Sequence, residues 1–246
     1  MDRRRMQLSM PSMPMAPQRS RVILEILWVS LGVALLMDLV LSRGWLGAAS
    51  SLAEMNALQL MVLLLVQNLI AVGSIIVFLR PEGKGLSYLG FRRRPVMREV
   101  ALGLALFPPV LFGALLLETL LLHFLPALHD VEVNPILAMI QGPWDVAALL
   151  VASVLAGGVG EEAIRVFVLR RFETHLGGMG VGLAVWSLAF GAMHLSQGMD
   201  KALVVGLFGL VLGLLYAWRR SPIAAMVVHG AFNVANTLAA YLLLGR

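Results

Sequence analysis

Residues 146–172 read VAALLVASVLAGGVGEEAIRVFVLRRF, and this stretch decides both the class of fold and where its chemistry is to be sought. Its apolar part approaches the ~20 residues that cross a bilayer as a helix, yet Glu161, Glu162 and Arg165 stand inside it. An ionised group at the centre of a membrane helix costs about 2.5–3.5 kcal/mol even on lenient scales. Three at one level are expected to face a bundle interior and to serve a purpose. Two more polar clusters fall inside later apolar runs: His194 in FGAMH, and His229 with Asn233 in HGAFN. Carboxylates, imidazoles and an amide within one bundle are the parts of a hydrolytic site.

The rest of the 246-residue chain has the same character, 59% hydrophobic and 13% charged, where soluble domains have about 45–50% and about 25%. Backbone groups in lipid must be satisfied internally, so spans are helices or a closed barrel. Runs of ~20 residues without alternation make them helices. The expected fold is an all-α, polytopic membrane helical bundle with about seven transmembrane helices, near residues 22–42, 57–79, 99–124, 146–170, 176–196, 201–218 and 222–244. These form one membrane domain over 22–246. Residues 1–21, cationic and rich in Met, Pro and Ser, read as a disordered cytoplasmic tail. The apolar run that follows is too long for a signal-peptide core and has no small-residue cleavage site after it. Asp2 in place of glycine argues against myristoylation. The absence of cysteine excludes disulfides, thiolate catalysis, cysteine-lined metal sites and lipidation of a thiol.

A net charge of +5 invites a nucleic-acid reading, but the cations flank apolar spans on one side, which is a topology signal. Fifteen basic residues lie in the tail (Arg3, Arg4, Arg5, Arg19, Arg21), after span two (Arg80, Lys84, Arg92, Arg93, Arg94, Arg98), after span four (Arg170, Arg171) and after span six (Arg219, Arg220). The other side has only Arg43, Lys201 and Arg246. This split predicts a cytoplasmic N-terminus and an external C-terminus. Only Lys84 and Lys201 are lysines, a preference for arginine that hints at a GC-rich bacterial genome and no more; the expected location is a bacterial inner membrane. Trp28, Trp45, Trp144 and Trp218 fall near span ends, as interfacial anchors do, while Trp186 lies deep in span five. Residues 125–145 read as an external loop with an interfacial helix over PILAMI. Gly209 and Gly213 form a GxxxG pair suited to close helix packing.

Within the polar clusters, Arg165 is three residues from Glu162 and four from Glu161, so either pair can meet on one helix face. Adjacent helical residues project about 100° apart, so the two glutamates face different neighbours. One can be held by Arg165 while the other faces a cavity and works as a general base. His229 and Asn233, at i and i+4, point the same way, and a ring N–H and an amide N–H can converge on one oxygen as in an oxyanion hole. The bland readings are a structural salt bridge for the first cluster, a polar helix end for His194 and an interhelical clasp for the third.

Together the clusters resemble the CAAX protease and bacteriocin-processing family, which includes type II CAAX prenyl endopeptidases. Its pattern is E-E-x-x-x-R, F-x-x-x-H and H-x-x-x-N/D on successive helices. This chain shows Glu161-Glu162, then Phe190 to His194, then His229 to Asn233. LSYLGFRR before span three and GLVLGLLYAWRRSPIAAMVVHGAFN also resemble family segments, so the likeness covers about residues 86–240. One departure stands out. The family arginine lies four residues after the second glutamate, whereas here Arg165 lies three after it and Val166 holds the usual place. RVFVLRR resembles the family's RGFLLRR shifted by one, which reads as a one-residue shortening that keeps Arg165. The alternative alignment puts Glu161 at the second glutamate and Gly160 at the first.

The resemblance implies an intramembrane glutamate-type endopeptidase acting on a membrane-bound peptide or protein. In that scheme Glu161 and His194 activate a water, His229 and Asn233 hold the oxyanion, and Glu162 with Arg165 orients the site. No cofactor is implied, and zinc on two histidines and a glutamate is the rival reading. The bilayer is the chain's other partner. A prenylated C-terminal peptide, a bacteriocin leader and a membrane-bound sorting tag all fit as substrates. Two other functions remain: a non-catalytic peptide-binding, immunity or resistance protein, and a proton-coupled transporter, although the two halves show no repeat of the polar pattern. His194 falls nearer the outer face and His229 nearer the inner, so helix tilt or a broken helix must bring them level, and Gly157, Gly158 and Gly160 permit a break just before Glu161.

Overall fold

The computed structural model describes residues 18–43, 54–91 and 94–243. Its principal helices are α1 (Arg19–Ser42), α2 (Ala57–Leu79), α3 (Val96–Phe124), α4 (Pro143–His175), α5 (Met179–Ala192), α6 (Met199–Arg219) and α7 (Ile223–Leu243). No strand occurs among the described residues. Aliphatic and aromatic side chains such as Leu69, Phe112 and Leu188 stand fully outward from these helices. Six of the helices are long and apolar enough to cross a membrane, α2 being counted with the 3-10 turn Arg80–Glu82 that extends it. The chain is an integral membrane protein with an all-helical bundle. Residues 1–17, most of the expected tail, and Trp45 lie outside the described residues, while Arg19 to Arg21 already open α1.

The seventh helix differs from expectation. The predicted span 176–196 contains a helix of only 14 residues, α5, about 21 Å at 1.5 Å per residue against a hydrocarbon core of about 30 Å. A turn at Met193 and His194 and a 3-10 turn at Leu195–Gln197 carry the chain on to α6. There Asn134, in the loop between α3 and α4, donates to the Gln197 amide oxygen at 2.9 Å. Irregular backbone at membrane depth is tolerated only where protein or a water-filled cavity surrounds it, and His194 lines such a cavity.

One end of the bundle is tied by ion pairs. Arg171, fully buried, reaches Glu25 of α1 at 2.7 Å and Glu82 after α2 at 2.6 Å. Glu99 of α3 meets Arg219 of α6 at 2.6 Å, and Glu173 of α4 meets Arg220 at 2.6 Å. Glu25 is buried, with 3% of its surface exposed, because α4 delivers Arg171 to it. Gly90 sits here with φ +95°, and a Cβ on it would run into the Arg220 carbonyl.

The opposite end is closed by the α3–α4 loop. The expected interfacial helix over PILAMI is absent. Pro135 and the Gly142–Pro143 pair bracket the patch, which forms only the 3-10 turn Leu137–Met139. Ile140 is fully buried in a cluster with Ala57, Leu60 and Leu149, so the apolar patch packs into the bundle rather than onto lipid. Trp144 and Trp218 are exposed near helix ends, and Trp186 is buried.

Arg171→Met removes the cation shared by two buried carboxylates. Arg21 at 2.9 Å from Glu25 and Lys84 at 2.7 Å from Glu82 remain, so the loss is expected at the low end for a broken buried pair, about 3 kcal/mol. Thermal unfolding in detergent reads it directly, and an unmoved transition would show that the cluster does not hold α1 to α4.

Candidate active site

The site is built on α4, where the winding changes. From Ser153 to Glu161 the helix widens into a π-helical segment, and regular α-helix resumes at Glu162. Three glycines, Gly157, Gly158 and Gly160, fall in this segment. Wide turns of this kind recur at functional sites. Here the glycines let neighbouring helices close in: a Cβ on Gly158 would lie 3.0 Å from Gly230 Cα on α7. The expected break at these glycines is thus a widened turn, with the helix continuous through it.

Glu161 and Glu162 have separate environments. Glu162 is fully buried. Both its oxygens accept from Arg165 Nε at 3.0 Å, and Oε1 accepts from His229 Nδ1 at 2.8 Å. Arg165, also fully buried, donates from Nη1 to the Gly209 carbonyl of α6 at 2.8 Å and lies 4.4 Å from the Phe190 ring centroid. Trp186 flanks the same guanidinium at 6.0 Å. Despite its i+3 spacing, Arg165 reaches the second glutamate, because residues three apart share a helix face. Glu161 has 30% of its side chain exposed and lines a cavity of about 460 Å³.

That cavity collects the other candidates. His194, His229 and Asn233 all line it with Glu161, and Glu162 touches it through His229. His229 Nε2 stands 3.8 Å from Glu161 Oε2, too far for a direct hydrogen bond. Since Glu162 accepts from Nδ1, the neutral His229 ring carries its proton on Nδ1 and a lone pair on Nε2. The ring N–H expected to point at an oxyanion is therefore engaged by Glu162, and Nε2 is the atom turned toward the cavity side. His194 is held likewise: Nδ1 donates to the Phe190 carbonyl at 2.8 Å, which leaves Nε2 free to accept. The Asn233 amide nitrogen and His229 Nε2 both lie against Gly157, where a Cβ would collide with the amide and sit 3.7 Å from Nε2. Phe190 and Phe208 meet the His229 ring edge-on at 6.0 and 5.3 Å between centroids.

Sequence reasoning missed the support around these groups. Phe208 and Arg171 sit in apolar or basic context and carry no motif. The mouth of the cavity joins residues far apart in the chain: His129 with Asp200 at 2.9 Å, and Glu118 with Lys201. No spacing rule could have paired residues 71 and 83 positions apart. Among the described residues no three His, Asp or Glu side chains form a group arranged to hold a metal ion.

Residues 143–235 match the family model described as Type II CAAX prenyl endopeptidase Rce1-like. The match takes in α4, α5, α6 and the first part of α7, and with them all the candidate residues. The resemblance drawn from the three motifs holds over this stretch, and it supports a CAAX-protease-type function. The segment from Leu86 that also resembles the family lies outside the match. No curated protein and no solved structure matches the chain.

Gly157→Ala places a methyl group where the Asn233 amide lies, so it is expected to displace that amide and cut activity while leaving the bundle folded. Gly158→Leu should instead push α4 from α7 and lower the folded yield. Equal activity of Gly157→Ala and the unaltered protein, measured on the same membrane peptide, would mean that Asn233 does not work where it stands.

Proposed function

We propose that the protein is an intramembrane endopeptidase that hydrolyses a peptide bond of a membrane-tethered polypeptide by a water activated on Glu161 and His194. The observation that carries the reading is the division of labour between the two glutamates: Glu162 is saturated by Arg165 and His229, while Glu161 lines the cavity with His229 Nε2 3.8 Å away, beyond hydrogen-bond reach. A general base must reach its water and must not be tied into a salt bridge.

In this reading Glu161 takes one proton of the water, and His194 Nε2 holds the other hydrogen and so aims the oxygen. The oxygen bonds to the scissile carbonyl carbon, and the carbonyl π pair moves onto its oxygen, where the Asn233 amide donates to it. When substrate binding draws Glu161 Oε2 and His229 Nε2 from 3.8 Å to hydrogen-bond distance, Nε2 takes the transferred proton and then serves as a second donor. Its charge is offset by Glu162, much as a buried carboxylate supports a catalytic imidazole. Collapse of the intermediate breaks the C–N bond, and the proton passes to the leaving amine. Arg165 balances Glu162 and is a positioning residue, fixed on Gly209 and Phe190.

Glu161→Gln keeps the size of the side chain and removes the base; His194→Ala removes the group that aims the water. Each is expected to abolish nearly all turnover. Asn233→Ala should lose about 10²–10³-fold, the usual cost of one oxyanion donor. Groups that act as a unit are not additive, so the Glu161→Gln/His194→Ala protein should be little worse than either single variant. Substrates come from comparing membrane peptides of cells with and without the gene. If folded Glu161→Gln protein still complements a deletion strain, the chain acts by binding a partner and not by cleavage.

The proposal routes no step through a metal. Activity should survive exhaustive chelation, and loss with phenanthroline that zinc restores would move the chain among the metalloproteases.

A further inference from the structure

The cavity has a floor and a mouth, and the two lie at different depths. Its floor is formed by Glu161 and His229, the latter about 9 Å from the start of α7 by helical rise. Its mouth is framed by the α3–α4 loop, with His129, Glu132 and Asn134, and by the facing segment with Gln197 and Lys201. Hydrogen bonds join the two rims: Asn134 to Gln197 at 2.9 Å, the Met199 amide to Asp130 at 2.8 Å, and His129 to Asp200 at 2.9 Å. No residue of the other end of the bundle lines it: Glu82, Glu99, Arg171, Glu173 and Arg219 take no part. That other end is closed by the buried ion pairs and by Leu89, Phe167 and Tyr216 in the largest apolar cluster.

The two ends also differ in charge. Arg19, Arg21, Arg80, Lys84, Arg94, Arg98, Arg170, Arg171, Arg219 and Arg220 all stand at the closed end, and at the open end the described cations are Arg43 and Lys201. Basic residues beside membrane helices stay in the cytoplasm. The odd number of traverses, with α5 and its 3-10 extension as one, keeps this alternation consistent from helix to helix.

We infer that the site opens only to the extracytoplasmic face, so that its substrate is a polypeptide already translocated across the bilayer, tethered there, and admitted at the mouth that the α3–α4 loop and the Gln197 turn together frame. A peptide that remains cytoplasmic, such as the lipidated C-terminus suggested by the family likeness, meets the sealed end. This inference rests on the protease reading for the word substrate, but the direction of opening does not.

The absence of cysteine makes the test direct, because any introduced thiol is the only one. Glu132→Cys marks the mouth and Ser87→Cys the closed end; both positions are exposed, and neither belongs to the proposed machinery. With a membrane-impermeant maleimide on right-side-out spheroplasts, Glu132→Cys should be labelled and Ser87→Cys should react only after lysis. The reverse pattern, or labelling of both before lysis, overturns the inference. Val205→Cys, half-buried on the cavity wall, should react with a small sulfonated thiosulfonate added outside and be protected when a bulky adduct already occupies Glu132→Cys. Labelling of Val205→Cys from the cytoplasmic side alone also overturns it. The same bulky adduct should slow cleavage of a single-span reporter whose scissile segment lies outside, and a reporter with that segment inside should not be cut. Cleavage of the inside reporter by labelled protein contradicts the proposed route. If neither reporter is cut while the thiol pattern is as expected, the protease reading fails and the direction of opening stands.

Discussion

Everything at the centre of this protein depends on one buried carboxylate. Glu162 has no access to solvent, and a lone ionised carboxylate there would cost several kcal/mol after all relaxation. Arg165 from the same helix and His229 from α7 remove that cost together. The arrangement fixes three things at once. It sets the rotation of α4, because the residue before Glu162 must then face the cavity. It sets the tautomer of His229. It also docks α4 on α6, since Arg165 spends another donor on the Gly209 carbonyl. Gly209 is required there: a Cβ on it would stand 2.9 Å from the Phe190 ring and 3.0 Å from Arg165 Nη1.

The widened turn of α4 and the shortness of α5 solve one geometric problem from two sides. His194 and His229 lie on helices that enter from the same end of the bundle, and with regular full-length helices they would sit at different depths. α5 stops at Ala192, and His194 two residues on lines the same cavity as Glu161 and His229. The glycines of the wide segment let the Asn233 amide and the His229 ring settle against α4 backbone. Both departures from regular helix leave backbone groups that need partners, and both occur where a cavity or packed protein supplies the surroundings.

Much of this was legible in the chain. Hydropathy gave the helices to within a few residues because lipid leaves no other way to satisfy the backbone, and the three polar clusters stood out because ionised groups are rare at that depth. Spacing allowed Arg165 to pair with either glutamate, and the fold settles it on Glu162. What stayed hidden were contacts between distant segments. No spacing pairs Glu25 of α1 with Arg171 of α4, and the PILAMI patch looked interfacial because hydropathy does not say which apolar surface a short segment will find. The engagement of His229 Nδ1 was also beyond reach: spacing to Asn233 placed the ring on a face but said nothing of which nitrogen was already taken.

The central claim is that water attacks the peptide bond directly, with no covalent intermediate on the chain. The most direct measurement is cleavage by the purified, bilayer-reconstituted protein in ¹⁸O-water containing hydroxylamine, with mass spectrometry of the new C-terminus. The account predicts a free carboxylate carrying a single ¹⁸O atom and no hydroxamate. A hydroxamate product, or a C-terminus without ¹⁸O, would show that a group on the protein or a second amine takes the acyl group first, and Glu161 would not be the base of a hydrolytic water.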